Sequence, residues 1–132
     1  MKLPVLTALA CLLLAASAQA HEVPTPPVTA HPDAVYISTG KWTYPSATQI
    51  KALYPERAEK FERTGKATID CLIAADGIIL ACDIVAEDPK EYGFGLATAT
   101  MFILYAHVKP DTVEGGLQPN SRKAFTFAWT PF

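Results

Sequence analysis

The stretch from Lys66 to Val85 leaves this chain the fewest folding options. Ala67, Ile69, Cys71 and Ile73 alternate with Thr68 and Asp70, a period of two that turns one face of a strand towards a core. Asp76-Gly77 supplies the left-handed geometry of a tight turn, and Ile78 to Val85 returns as a second strand. With a two-residue turn Ala75 opposes Ile78, and counting outwards places Cys71 opposite Cys82. Adjacent strands hold their β-carbons about 4.5–5.5 Å apart. A Cys71–Cys82 disulfide is therefore expected if the pair is of the non-hydrogen-bonded kind, with two buried free thiols as the alternative. Leu72 breaks the alternation and Ile78 to Cys82 is continuously apolar, which predicts a bulge or a sheet covered on both faces. A bulge would shift the cysteine register by one.

Such a hairpin needs cover. Phe94 to Ala106 is apolar nearly all round, which predicts a helix buried against the sheet, and Gly93 and Gly95 place its start after Asp88-Pro89-Lys90-Glu91. Glu87-Asp88 reads as a solvated turn. Between Lys123 and Thr130, Phe125, Phe127 and Trp129 alternate with Ala124, Thr126 and Ala128, a final strand whose aromatics fill the core under that helix. Upstream, Ser46 and Gln49 have capping-box spacing for a short helix near 46–53, with Ile50 and Leu53 on its apolar face. Pro55 suits the first turn of a second short helix, and Gly65 is expected to end that helical region. Val35, Tyr36, Ile37, Trp42 and Tyr44 around Thr39-Gly40 read either as an edge strand or as an ordered arm. The fold class is α+β.

The N-terminus sets the expected compartment. Lys2, the apolar run Leu3 to Ala16 and the small residues Ala18-Gln19-Ala20 have the order of a signal peptide cleaved between Ala20 and His21. The run is shorter than the roughly 20 residues of a spanning helix, so an uncleaved anchor is the lesser reading, and Cys11 lacks a proper lipobox. Removing twenty of 132 residues leaves 112, enough for one modest core. Without Lys2 that portion carries 10 basic and 13 acidic side chains, about −3, with no basic block to attract nucleic acid or an anionic membrane surface. Residues 21–33 contain Pro24, Pro26, Pro27 and Pro32 and read as an extended, solvated linker. Loss of Cys11 leaves an even pair of cysteines, in keeping with an oxidising compartment.

Tyr54-Pro55 with Ala58, Gly65-Lys66-Ala67, the Asp76-Gly77 turn, the long helix, Val108-Lys109-Pro110 and the closing aromatic strand together resemble the C-terminal domain of TonB-family energy transducers across residues 54–132. Paired cysteines flanking the hairpin turn, and Tyr92 to Gly95 opening the long helix, look closest to a subgroup of small exported TonB-like proteins. The resemblance implies a three-stranded antiparallel sheet, packed on one face by one long and one or two short helices, with the final strand at an edge. That edge pairs, in TonB, with a short segment of an outer-membrane transporter. TonB itself has an uncleaved anchor and a long spacer. Here the spacer is about a dozen residues, or about 40 Å at full extension, which puts force transmission in doubt.

The partner-binding expectation therefore falls on Arg122, Lys123, Ala124, Phe125, Thr126, Phe127, Ala128 and Trp129, through backbone groups along one edge. Arg122 and Lys123 either guide an acidic partner segment or act as solubilising charges at a strand end. The expected partner is an envelope protein, a candidate being the N-terminal segment of a TonB-dependent transporter. The expected location is the periplasm, or the inner membrane if residues 1–20 are retained. A homodimer through the same strand is the alternative, and nucleic acid is not an expected partner. No cofactor or metal is expected: an N-terminal His21 chelates copper only with further ligands, and His31 lies in the linker while His107 reads as a helix C-terminal residue. No nucleophile with a base, carboxylate pair or phosphate loop marks an enzyme, and Gly93-Phe94-Gly95 lacks the spacing of a nucleotide fingerprint.

Overall fold

A computed structural model describes residues 31–132. The expected signal peptide (1–20), its Ala20/His21 junction and linker residues 21–30 lie outside the described residues. In chain order the elements are β1 (Val35–Tyr36), β2 (Trp42–Thr43), α1 (Ala47–Ala52), α2 (Glu56–Lys60), β3 (Gly65–Ile73), β4 (Ile79–Asp88), α3 (Phe94–Tyr105), β5 (His107–Val108) and β6 (Ser121–Trp129), with a 3-10 turn at Pro110–Thr112. The α+β class is as expected. The strand count is not: the main sheet has four strands in the order β1-β6-β3-β4, and β2 with β5 makes a second, two-stranded sheet. The extra strands come mainly from the N-terminal arm. Its residues Val35–Tyr36 add in parallel to the start of β6, and Trp42–Thr43 pair antiparallel with His107–Val108.

The β3–β4 hairpin reaches the expected cysteine register by a different route. Ala74 N–H donates to Ile78 O at 2.8 Å and Gly77 N–H to Ala74 O at 2.9 Å, so the loop is Ala75-Asp76-Gly77, one residue longer than a two-residue turn. Ile73 then faces Ile79 and Leu72 faces Ala81, leaving Leu80 as a bulge. The two offsets cancel, and Cys71 faces Cys82 in a formed disulfide with Cα atoms 4.0 Å apart. That close spacing belongs to non-hydrogen-bonded antiparallel pairs. A second bulge falls at Val85, between the Ile69–Ile84 and Thr68–Ala86 pairs. Gly77 is required at the turn: its φ is 89° and a β-carbon there would lie 1.9 Å from Val108 O, because Val108 N–H docks on Gly77 O at 3.0 Å. Cys71 and Cys82 are separated by 11 positions, so closing this loop stabilises the fold by about 3 kcal/mol on the chain-entropy relation. Reduction with dithiothreitol is expected to lower the unfolding free energy by that amount in urea titrations, with a Cys71→Ala/Cys82→Ala variant showing the same loss without reductant.

Helix α3 covers β3 and β4 with Phe94, Thr98, Ala99, Met101 and Phe102 turned inward. It is buried against the sheet as expected, while its opposite face is exposed, Leu96 at 67% and Leu104 at 59%. Among the described residues α3 meets protein through the face turned to the four-stranded sheet. The β6 half of the same sheet face is covered by the arm, with Trp42 edge-on to Phe125 at 5.1 Å and Tyr44 edge-on to Phe102 at 6.4 Å. Ile50 and Leu53 of the α1 region join this core. The anticipated capping box holds α1, Gln49 N–H donating to Ser46 Oγ at 3.2 Å and Ser46 N–H to Gln49 Oε1 at 2.8 Å.

Three local expectations are corrected. Pro55 occupies the N-cap of α2, just before its first turn. Helix α2 ends at Lys60, with Glu62 at φ 50°, and Gly65 is instead the first residue of β3. Glycine is needed there because a β-carbon would stand 2.2 Å from the Phe94 ring. Glu87 and Asp88 belong to β4, and Glu87 Oε2 accepts the Gly95 N–H at 2.6 Å, capping α3 where Gly93, its N-cap, has no side chain to do so. A carboxylate at this helix end is also favoured by the dipole.

Tyr54 links the α2 region to this core. It is 7% exposed, packs edge-on against Phe94 and Trp129, and donates its O–H to Arg63 O. Burial, and then the charge of Glu59, raise its phenol above the ordinary value of 10.0. A raised pKa contributes stability that is complete below pH 10 and is lost as pH climbs through the folded value. Urea titrations between pH 9 and 11.5 should show wild type losing more stability than Tyr54→Phe, whose ring cannot ionise.

Candidate functional site

Strand β6 pairs with β3 without a break from Ser121's neighbour Arg122 to Trp129. On its other side, among the described residues, the first two residues are covered, by β1, and the rest are not. Val35 N–H donates to Asn120 O at 3.1 Å and Ile37 N–H to Arg122 O at 3.0 Å, which defines the outward direction of the backbone. Because backbone groups alternate sides along a strand, the N–H and C=O groups of Ala124, Thr126 and Ala128 point the same way and extend past β1. Those of Lys123, Phe125, Phe127 and Trp129 point to β3. The final strand expected at a sheet edge lies instead between β1 and β3, and among the described residues its outward backbone groups are uncovered beyond Arg122.

The side chains divide differently from the backbone. Phe125 and Trp129 are buried and Phe127 half-buried in the core, as expected, while Ala124, Thr126 and Ala128 lie exposed on the opposite face. Trp129 Nε1–H donates to Thr98 Oγ1 at 2.8 Å, and Thr126 Oγ1 meets Thr68 Oγ1 at 2.9 Å across the sheet. Lys123 is half-buried, with Nζ 5.6 Å from the centre of the Phe125 ring. The small side chains along 124–128 leave the edge sterically open.

Arg122 is not available to guide an acidic partner. It is 8% exposed; its Nε donates to Asp70 Oδ1 at 2.9 Å, and its Nη2 to Asp70 O and to Asp83 Oδ2, both at 3.0 Å. Asp70, 1% exposed, also accepts the Tyr36 O–H at 2.5 Å, and Asp83 Oδ2 lies 2.6 Å from His31 Nε2. Two buried charges are compensated only when paired and hydrogen-bonded in this way. The cluster ties β6, β3, β4 and the arm together, so it fixes where β1 lies and hence where the open edge starts. Asp70 was visible in sequence as the one carboxylate within the alternating strand. Its partners Tyr36 and Arg122 stand 34 and 52 positions away, beyond the reach of any local pattern.

His31, expected in a solvated linker, instead pairs with Asp83, and His107, expected at a helix C-terminus, lies in β5 opposite Thr43 and Ile78. Helix α3 ends at Tyr105, two positions before His107, with Ala106 as its C-cap. Among the described residues no group of three or more His, Cys, Asp or Glu side chains is placed to hold a metal ion. Among the same residues no helix is long and apolar enough to cross a membrane.

The second open strand of the sheet, β4, offers a poorer surface for pairing. Bulges at Leu80 and Val85 break its hydrogen-bonding rhythm, and Asp83, Glu87 and Asp88 lie along it. Bulges and edge charges are the devices by which sheets discourage strand addition. The β6–β3 pairing has no register shift. Comparison of the sequence with described protein families and with curated proteins finds no match.

Proposed function

We propose that this protein is a periplasmic TonB-like adaptor that binds an extended segment of another envelope protein along β6, the N-terminal segment of a TonB-dependent outer-membrane transporter being the foremost candidate. The observation that carries this reading is the regular edge at Ala124, Thr126 and Ala128, uncovered among the described residues, beside a β4 edge interrupted by bulges. An added strand finds three N–H donors and three C=O acceptors there, each hydrogen bond contributing about 0.5–1.5 kcal/mol net. Affinity from so few bonds is modest, which suits a reversible coupling role.

Proline at position 124 tests the reading. It removes an outward N–H and leaves the β3 ladder intact, a position where edge strands tolerate proline. Titration of transporter N-terminal peptides into labelled protein should shift the amides of residues 123–129 in the wild type and leave Ala124→Pro unmoved. Absence of any shift with wild type refutes the adaptor. Pairing of two copies through the same edge is the competing use of this surface; it requires sedimentation to depend on concentration without peptide, whereas the adaptor stays monomeric. Mass spectrometry of the native protein distinguishes a cleaved leader from an anchor retaining residues 1–20.

A further inference from the structure

Arg57 and Arg63 converge on one aromatic ring. The guanidinium carbon of Arg57 lies 5.4 Å and that of Arg63 5.9 Å from the centre of the Tyr92 ring. Both side chains are exposed, and among the described residues neither has a carboxylate within ion-pair distance. At these cation–π distances the ring draws both guanidinium groups to one place, and their N–H donors make no ion pair among the described residues and can meet an oxyanion. Two exposed cations thus share one aromatic ring on the surface.

The surroundings separate charge in a way the sequence does not. Residues 56–63 alternate in sign, but Glu59 and Glu62 line a hollow with Lys51, Tyr54 and Phe132, which leaves Glu56 as the acidic residue of this run outside that hollow. Next to the arginines, Phe61 is 56% exposed with Lys60 Nζ 5.8 Å from its ring centre. Tyr92 leads into α3, which contains no charged residue and whose first outward side chain, Leu96, is 67% exposed. Guanidinium and ammonium groups beside an aromatic ring and bare apolar side chains match the boundary of a bilayer, where phosphates lie above acyl chains.

The geometry points to a docking site for the phosphate headgroups of anionic phospholipid, with Arg57 and Arg63 on the phosphates, Tyr92 at headgroup level, and Phe61 and Leu96 towards the acyl boundary. This revises the expectation that nothing here attracts an anionic membrane. The deficit of positive charge in the whole chain is felt only over distances that salt screens, about 8 Å at physiological ionic strength, whereas the two arginines act in contact. Glu91, the neighbour of Tyr92, and Glu56, the neighbour of Arg57, are charges that oppose binding. The site is independent of the β6 edge.

Co-sedimentation of the purified protein with vesicles tests the site. Binding is expected to vesicles of phosphatidylcholine mixed with phosphatidylglycerol, to weaken with added salt, and to be absent with phosphatidylcholine alone. A cation near an anionic surface contributes roughly five-fold in partition, so Arg57→Gln/Arg63→Gln should bind about 25-fold more weakly with an unchanged melting temperature. Glu91→Gln should bind more tightly, and Ala124→Pro as wild type. Equal binding by the double arginine variant, or equal binding to neutral vesicles, overturns the proposal. So does a response of Tyr92 to inorganic phosphate or to a glutamate-rich peptide without vesicle binding, because the lipid would then not be the ligand.

Discussion

Replacing Asp70 with alanine is expected to lower the free energy of unfolding by about 3–5 kcal/mol, the usual cost of breaking a buried ion pair from one side. The loss arises from what remains. Arg122, 8% exposed, would keep its contacts with Asp70 O and Asp83 Oδ2 but lose the carboxylate at its Nε, and the Tyr36 hydroxyl would lose its acceptor. Asp83→Ala should cost far less, about 1 kcal/mol or below, since the Asp83 side chain is 57% exposed and solvent screens its pairing. Urea denaturation at neutral pH separates these values. An Asp70→Leu/Arg122→Met variant, which removes both charges and keeps apolar volume, should recover much of the loss. Hydrogen exchange adds a local readout: in Asp70→Ala the amides of Val35 and Ile37, which bond to Asn120 and Arg122, should lose protection before those of β3. If Asp70→Ala proves as stable as wild type, the cluster does not anchor the arm.

Trp129→Ala is the second substitution with a large expected effect, again about 3–5 kcal/mol. Trp129 is 1% exposed and closes the end of the sheet, with ring centres of Tyr54 at 5.5 Å, Phe127 at 5.0 Å and Phe94 at 6.4 Å. Truncation removes both the transfer free energy of the indole and the contacts of three other rings, in a site where Gly65 already touches Phe94 and little room exists for collapse. Trp129→Phe should lose less, about 1 kcal/mol for the bond to Thr98 Oγ1 plus the smaller cavity. Calorimetric melting of the two variants gives the ranking. A fall for Trp129→Ala no larger than that for Trp129→Phe would mean that the aromatic cluster is looser than its ring distances indicate.

Both predictions concern β6, whose place in the sheet was only partly legible beforehand. The alternation of Phe125, Phe127 and Trp129 announced a strand with a buried face, and it has one. That β6 is covered at Ser121 and Arg122 and open beyond them was not legible, because a two-residue parallel strand such as β1 has no periodicity to detect. The hairpin shows a different kind of limit. Its cysteines meet in the register expected from a two-residue turn, but only because the extra loop residue and the Leu80 bulge offset each other. For α3, the apolar composition announced a helix buried against the sheet, which it is, but did not show that Leu96 and Leu104 on its other face are exposed. The Arg57–Tyr92–Arg63 cluster carried no signal, since it joins α2, the following loop and the turn before α3, and since its charges alternate with glutamates along the chain.

What the sequence determined by itself was local. Alternation specified β3 and β6, the Ser46/Gln49 pair specified the start of α1, and Gly93 marked the start of α3, because each depends on backbone geometry and on neighbours within a turn or two. The tertiary structure alone decided the four-strand order, the burial of Arg122 against Asp70 and Asp83, the freedom of the edge at Ala124, Thr126 and Ala128, and the meeting of two arginines on Tyr92. Those features depend on which distant segments share a surface. The hydrophobic effect that brings such segments together is non-directional, so partners emerge only when the whole chain has packed.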